Sequence, residues 1–84
     1  MKNRKRKKFP VALSIAGSDS SGGAGIQADL KTFTVFDVYG TSVITAITAQ
    51  NTFKIQKIAP IPIDVIKKQI DSVCTDFPID ALKV

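Results

Sequence analysis

The chain has 84 residues, 44% of them hydrophobic and 23% charged, a balance that excludes a disordered or low-complexity polypeptide. No stretch nears the roughly 20 consecutive apolar residues of a membrane span, and one cysteine with no histidine excludes an intramolecular disulfide and a His/Cys zinc site. Lys and Arg total 12 against 7 Asp and Glu, and half of the cations, Lys2, Arg4, Lys5, Arg6, Lys7 and Lys8, stand in the first eight residues.

Such a basic run attracts nucleic acid or anionic membrane when aromatic residues or an amphipathic helix accompany it. Neither does here. Residues 1–10 are therefore expected to be a solvated, self-repelling tail, with 11–84 as the folded portion and nucleic-acid binding through the tail as the alternative. A signal peptide does not fit, because the apolar stretch after the basic run is short and leads into a polar loop. The lone thiol fits a reducing cytoplasm.

Val11 to Ala16 (VALSIA) is an apolar run ended by turn residues, as in a buried strand. The turn spans Gly17 to Gly23. Beyond it, Ile26, Leu30, Phe33 and Phe36 recur at helical spacing with Gln27, Lys31 and Thr34 opposite, predicting an amphipathic helix. Gly40 is expected to provide the permissive backbone of the helix-to-strand turn. Ser42 to Ala49 (SVITAITA) is β-branched and uncharged, predicting one strand covered on both faces.

A weaker strand follows at Ile55 to Ile58. Pro60 and Pro62 then precede a second helix, with Ile66, Ile70, Val73 and Phe77 on its apolar face and Pro78 closing it. Cys74, beside Val73, is expected to be a core thiol. Ala81 to Val84 begins another strand. This order is the opening of an α/β domain with a mostly parallel sheet, and a domain so small buries only about 60% of its unfolded surface. The chain is accordingly expected to be the first part of a larger protein.

Ligands of open α/β sheets bind beyond the carboxyl ends of the strands. Two loops qualify, the one after VALSIA and the one starting at Gln50-Asn51. As a Walker phosphate loop the first fails, since Gly23 and Ala24 stand where Lys and Ser/Thr are needed. As a dinucleotide fingerprint, Gly23 to Ala28 matches formally, but the following strand ends on Gln50 rather than on an acid. Taken alone, the glycines would serve only a tight turn.

The run Ala16-Gly17-Ser18-Asp19-Ser20-Ser21-Gly22-Gly23-Ala24-Gly25-Ile26-Gln27-Ala28-Asp29-Leu30-Lys31-Thr32-Phe33, followed by Tyr39-Gly40, Val43-Ile44-Thr45-Ala46 and Ala49-Gln50-Asn51-Thr52, resembles the N-terminus of hydroxymethylpyrimidine/phosphomethylpyrimidine kinases. These belong to the ribokinase-like superfamily and serve thiamine biosynthesis. The similarity continues through Gln69-Ile70-Asp71-Ser72-Val73 to Lys83. It implies the N-terminal part of a ribokinase-like three-layer α/β sandwich with a mostly parallel sheet, left incomplete. The implied activity is ATP-dependent phosphorylation of 4-amino-5-hydroxymethyl-2-methylpyrimidine and its monophosphate, with ATP and Mg as cofactors and a homodimeric assembly. The family's later glycine loop and its nucleotide and metal positions have no counterpart here, so no catalytic residue is expected in this chain, and a non-catalytic remnant of such a kinase is the alternative.

The resemblance implies a substrate pocket made by Gln50, Asp29, Gly17, Ala24 and Thr48. An amide at Gln50 suits an aminopyrimidine, because it offers a donor and an acceptor side by side; alone, such a residue would as readily bond the strand-end backbone. Asp29 flanks the apolar stripe, and two readings stay open for it: proximity to substrate, or interaction with the helix N-terminus. Asp19 matches a recurring acid of the family, while a turn-forming aspartate is the commoner case.

Overall fold

A computed structural model describes residues 9–84; the basic run and the tail expected there lie outside the described residues, except Phe9 and Pro10. The predicted first strand is β1 (Val11–Ala16), buried through Ser14. It is flanked on both sides by parallel strands, β2 (Tyr39–Ile44) and β5 (Ala81–Lys83). Val11 stands opposite Tyr39, and Ser14 opposite both Ser42 and Lys83. Helices α1 (Gly25–Val35) and α2 (Ile63–Asp76) are the crossovers that parallel neighbours require. Val11, Ala12, Leu13, Ile26 and Val43 form the buried apolar core.

The strand expected over 42–49 is two strands. β2 stays in the parallel sheet, whereas β3 (Ala46–Gln50) leaves it and pairs antiparallel with β4 (Ile55–Pro60). Thr45 is the joint: its N–H donates to Ala16 O at 2.9 Å, and its carbonyl accepts from the Ile61 N–H at 2.9 Å. The reason is visible in side-chain alternation. Val43 is buried, yet in β3 the less exposed residues are Ala46, Thr48 and Gln50, a change of parity that a single flat strand cannot make. Cover on both faces fails as well, since Ile47 and Ala49 are exposed on the other face of β3.

Helix α1 also ends differently from expectation. Ile26, Leu30 and Phe33 face inward, but Phe36 is the C-cap and is 72% exposed. The left-handed residue that turns the chain is Asp37 (φ 59°), not Gly40. The Val38 N–H donates to Phe33 O at 2.8 Å and the Asp37 N–H to Thr34 O at 3.2 Å, the paired bonds that close a helix through a left-handed residue; aspartate tolerates that conformation better than most side chains. Gly40 serves packing instead. A Cβ there would lie 2.8 Å from Leu30 Cδ2 and 2.9 Å from Phe33 Cδ2, so glycine lets α1 settle on β2.

Helix α2 packs against β2 through Ile66, Ile70 and Val73, all half-buried. Phe77 is its C-cap and stacks on Tyr39 with ring centroids 5.3 Å apart. Cys74 is exposed, contrary to the expected core thiol. The helix covers an edge strand, so the residue one step around from Val73 projects past the sheet rather than onto it. At the start of β1, the Val11 N–H donates to Asp80 Oδ2 at 2.7 Å and the Asp80 N–H returns to Val11 O at 2.8 Å.

Candidate substrate site

Parallel strands β1 and β2 deliver their carboxyl ends to one edge, where Gly17 to Ala24 forms the loop into α1. This loop runs beside β3 and is fastened to every second residue of it. The Ser18 N–H donates to Ala46 O at 2.9 Å. Thr48 is held twice by Ser18: its N–H donates to Ser18 Oγ at 3.2 Å, and its Oγ1 donates to Ser18 O at 2.6 Å. Gln50 is held twice by Ser20, the Gln50 N–H donating to Ser20 Oγ at 2.7 Å and the Ser20 hydroxyl donating to Gln50 O. A strand's alternation places Ala46, Thr48 and Gln50 on one side, and Ser18 and Ser20 match that period of two.

The loop itself is organised by Asp19, which is 3% exposed. Its carboxylate accepts from the Ser21 N–H (2.9 Å), the Ser21 hydroxyl (2.7 Å) and the Gly23 N–H (3.1 Å), and also from the Ala24 backbone. The Asp19 N–H donates to Gln27 Oε1 at 2.7 Å. Led by the Ser21 hydroxyl, these donors hold the Asp19 pKa below the ordinary carboxylate value against a smaller opposing effect of burial. The turn-forming reading of Asp19 is thus realised. It also explains how Ala24, a poor N-cap that makes no side-chain cap bond, can begin α1: its neighbourhood is anchored by Asp19 from outside the helix.

Gly25 adopts φ +59°, and a Cβ there would sit 2.4 Å from Gly17 O, the same oxygen that accepts the Ile26 N–H at 2.9 Å. Glycine is obligatory at that point. Gly17 is different. A Cβ on it would meet Ala46 O at an ordinary 3.6 Å, so the chain's own packing does not require glycine there.

Four of the five expected pocket residues, Gly17, Ala24, Thr48 and Gln50, are thereby tied to one loop. Asp29 is set apart from this network. It lies beyond the first turn of α1, so interaction with the helix N-terminus does not describe it; Ser14 Oγ donates to its Oδ2 at 2.6 Å, and Lys83 Nζ is 3.0 Å from the same oxygen. The Ser14 hydroxyl, then Lys83, lower its pKa, and burial raises it less than the Ser14 bond lowers it. Ser18, Ser20 and Gln27 were not singled out from the sequence, although the serines' spacing of two, matching Thr48 and Gln50, was the available signal. A cleft lined by Phe9, Thr34, Asp37, Val38, Tyr39 and Gly40 lies at the amino ends of the strands and contains none of the expected residues.

The glycine loop is not arranged to cradle a phosphate. The N–H groups of Ser21, Gly23 and Ala24, which a phosphate would need, already face the Asp19 carboxylate. Among the described residues no cluster of three His, Cys, Asp or Glu could hold a metal ion.

The β1–α1–β2 unit and the α2 crossover to β5 are the opening of a ribokinase-like α/β kinase fold. Solved structures that share it include the phosphomethylpyrimidine kinase of Clostridium difficile 630, 58% identical with a TM-score of 0.83 over 86% of this chain and 33% of that one. The pyridoxal kinase of Staphylococcus aureus, solved with AMP-PCP and pyridoxal, is 42% identical with a TM-score of 0.79 over 90% of this chain and 28% of that one. The hydroxymethylpyrimidine/phosphomethylpyrimidine kinase of Rhizobium meliloti (strain 1021) is 55% identical over 74 residues, 88% of this chain and 28% of that protein. Residues 19–84 match the phosphomethylpyrimidine kinase family, and the chain belongs to that family. It spans about a quarter to a third of the length of these relatives. Among the described residues no helix is long and apolar enough to cross a membrane.

Proposed function

We propose that the chain forms the pyrimidine-recognising part of an ATP-dependent kinase acting on 4-amino-5-hydroxymethyl-2-methylpyrimidine and its monophosphate, in the cytoplasmic synthesis of thiamine diphosphate. The observation that carries this reading is the fastening of the glycine loop to Thr48 and Gln50 through Ser18 and Ser20, which fixes the backbone from which the Gln50 amide projects. Gln50 recognises the amino group and the adjacent ring nitrogen; Gly17 and Ala24 admit the ring; Thr48 and Asp29 complete the wall. ATP and Mg belong to the portion of the relatives that this chain does not span, because the described loop amides and carboxylates do not fit either group. A homodimer is part of the same reading.

Titration of the purified chain with 4-amino-5-hydroxymethyl-2-methylpyrimidine, followed by ligand NMR, tests the proposal, with pyridoxal as a competitor because a structural relative is a pyridoxal kinase. Gln50-dependent shifts are expected for the aminopyrimidine, with no phosphorylated product on addition of ATP and magnesium. Equal shifts with wild-type and Gln50→Ala chains, or a preference for pyridoxal, would overturn it.

A further inference from the structure

Thr48 Oγ1 makes two close contacts, to Ser18 O at 2.6 Å and to the Gln50 side-chain atom placed as Oε1 at 3.3 Å. A threonine hydroxyl has a single proton and two lone pairs. The shorter bond, to a carbonyl that cannot donate, takes the proton. Toward Gln50 the hydroxyl can therefore only accept, and a lone pair facing the amide oxygen would be repulsive. Oxygen and nitrogen of a carboxamide are interchangeable by a half-turn, so their assignment follows from the hydrogen-bond network. The network here requires Nε2, not Oε1, on Thr48.

From this we infer that Thr48 is a positioning residue that locks the Gln50 amide in one of its two orientations, and thereby sets discrimination between amino and oxo pyrimidines. The inference rests on the proposed pyrimidine recognition by Gln50. A carboxamide nitrogen carries two hydrogens. With one committed to Thr48, the other stands beside Oε1 and the pair faces outward as donor and acceptor. This edge complements a ring nitrogen that accepts next to an amino group that donates. The 4-oxo counterpart presents the reverse, a ring N–H beside a carbonyl, and would need the amide turned over. Turning it sets oxygen against the lone pairs of Thr48. Ser20 adds to the lock by fixing the Gln50 backbone on both its N–H and its carbonyl, so the side chain cannot relieve the mismatch by shifting its root.

The chain, isotopically labelled, provides a direct readout without ligand. One of the two Gln50 Nε2 protons is expected to be protected from exchange with solvent and to show an NOE to the Thr48 side chain. Thr48→Val, which keeps shape and removes the hydroxyl, should abolish that protection; Thr48→Ser should restore it. With ligand, the affinity ratio of the 4-amino compound over its 4-oxo counterpart should fall about tenfold in Thr48→Val and recover in Thr48→Ser. An unprotected Gln50 amide in wild type, or a ratio unmoved by Thr48→Val, overturns the inference. Failure of the wild-type chain to bind either pyrimidine overturns the recognition reading instead, while the amide signature still decides the orientation.

Discussion

Gln69 grips both backbone groups of Ile44: its Oε1 accepts the Ile44 N–H at 2.8 Å, and its Nε2 donates to Ile44 O at 2.8 Å. The side chain thereby does at the last residue of β2 what a neighbouring strand would do, closing the end of an edge that would otherwise be open. Gln69→Leu strands both groups in a part-buried setting and is expected to lower the unfolding free energy by about 1–3 kcal/mol. Gln69→Glu keeps the acceptor and loses the donor, so it should fall between the two. Urea denaturation at neutral pH measures the order; a Gln69→Leu chain as stable as wild type would refute the clamp.

Two glycines eight residues apart should respond oppositely to alanine. Gly25→Ala places a Cβ against Gly17 O in a left-handed backbone, a collision between main-chain atoms that no rotamer relieves. Its conformational part alone costs about 1–2 kcal/mol, and the displaced Gly17 adds to that. Gly17→Ala meets Ala46 O only at contact distance and should leave stability within about 0.5 kcal/mol while weakening pyrimidine binding. Thermal melts and ligand NMR on both variants separate a fold glycine from a pocket glycine.

Asp19 and Asp29 both have pKa values lowered by folding, chiefly by the hydroxyls of Ser21 and Ser14. The unfolded chain binds these protons first as pH falls. Their contribution is therefore complete above the unfolded aspartate value of about 3.9 and is lost as pH drops through the lower folded values. Stability should decline below about pH 4, and that acid limb should be shallower in Asp19→Asn. A pH series of urea midpoints decides; an unchanged limb in Asp19→Asn would mean that the loop donors do not hold the charged form.

Around Asp29, the two partners should differ in weight. Lys83 is half-exposed, with its side chain at 53%, so Lys83→Met should cost no more than about 1 kcal/mol. Ser14 is fully buried and donates to a charged acceptor. Ser14→Ala should cost about 1.5–3 kcal/mol. The reverse ranking in denaturant titrations would show that the ion pair to β5, not the hydroxyl of β1, anchors α1 to the sheet.

Cys74 should react as an exposed thiol. Titration of the native chain with a chromogenic disulfide reagent is expected to consume one equivalent at a rate close to that in denaturant, and Cys74→Ala should alter stability by less than about 0.5 kcal/mol. Slow labelling in the native state would instead show that something covers this flank of α2.

The sequence carried β1, both helices and the glycine loop because each is signalled locally, by an apolar run ending in turn residues or by helical spacing. The division between β2 and β3 was hidden. Nothing in SVITAITA marks Thr45, since its role arises from Ala16 and Ile61, which are distant in the chain. Gly40 misled for a related reason: glycine suggested the turn, whereas the demand for it came from Leu30 and Phe33 pressing from α1, and Asp37 took the turn. At the site, Gln50 and Thr48 stood out through the family resemblance. The serines that hold them looked like generic loop residues until β3 was laid beside the loop.

Thr45 has one further consequence. Because it ends the parallel sheet with one backbone group and begins the hairpin with the other, while Ser18 and Ser20 lash the glycine loop to β3, the two sheets meet at a braced corner rather than a hinge. Displacing the hairpin by rotation at Thr45 would tear loop bonds at Ala46, Thr48 and Gln50 together. The glycine loop and the hairpin therefore move as one piece, so in the proposed reading Gln50 and Thr48 keep a fixed distance from the loop whether or not a ligand is bound.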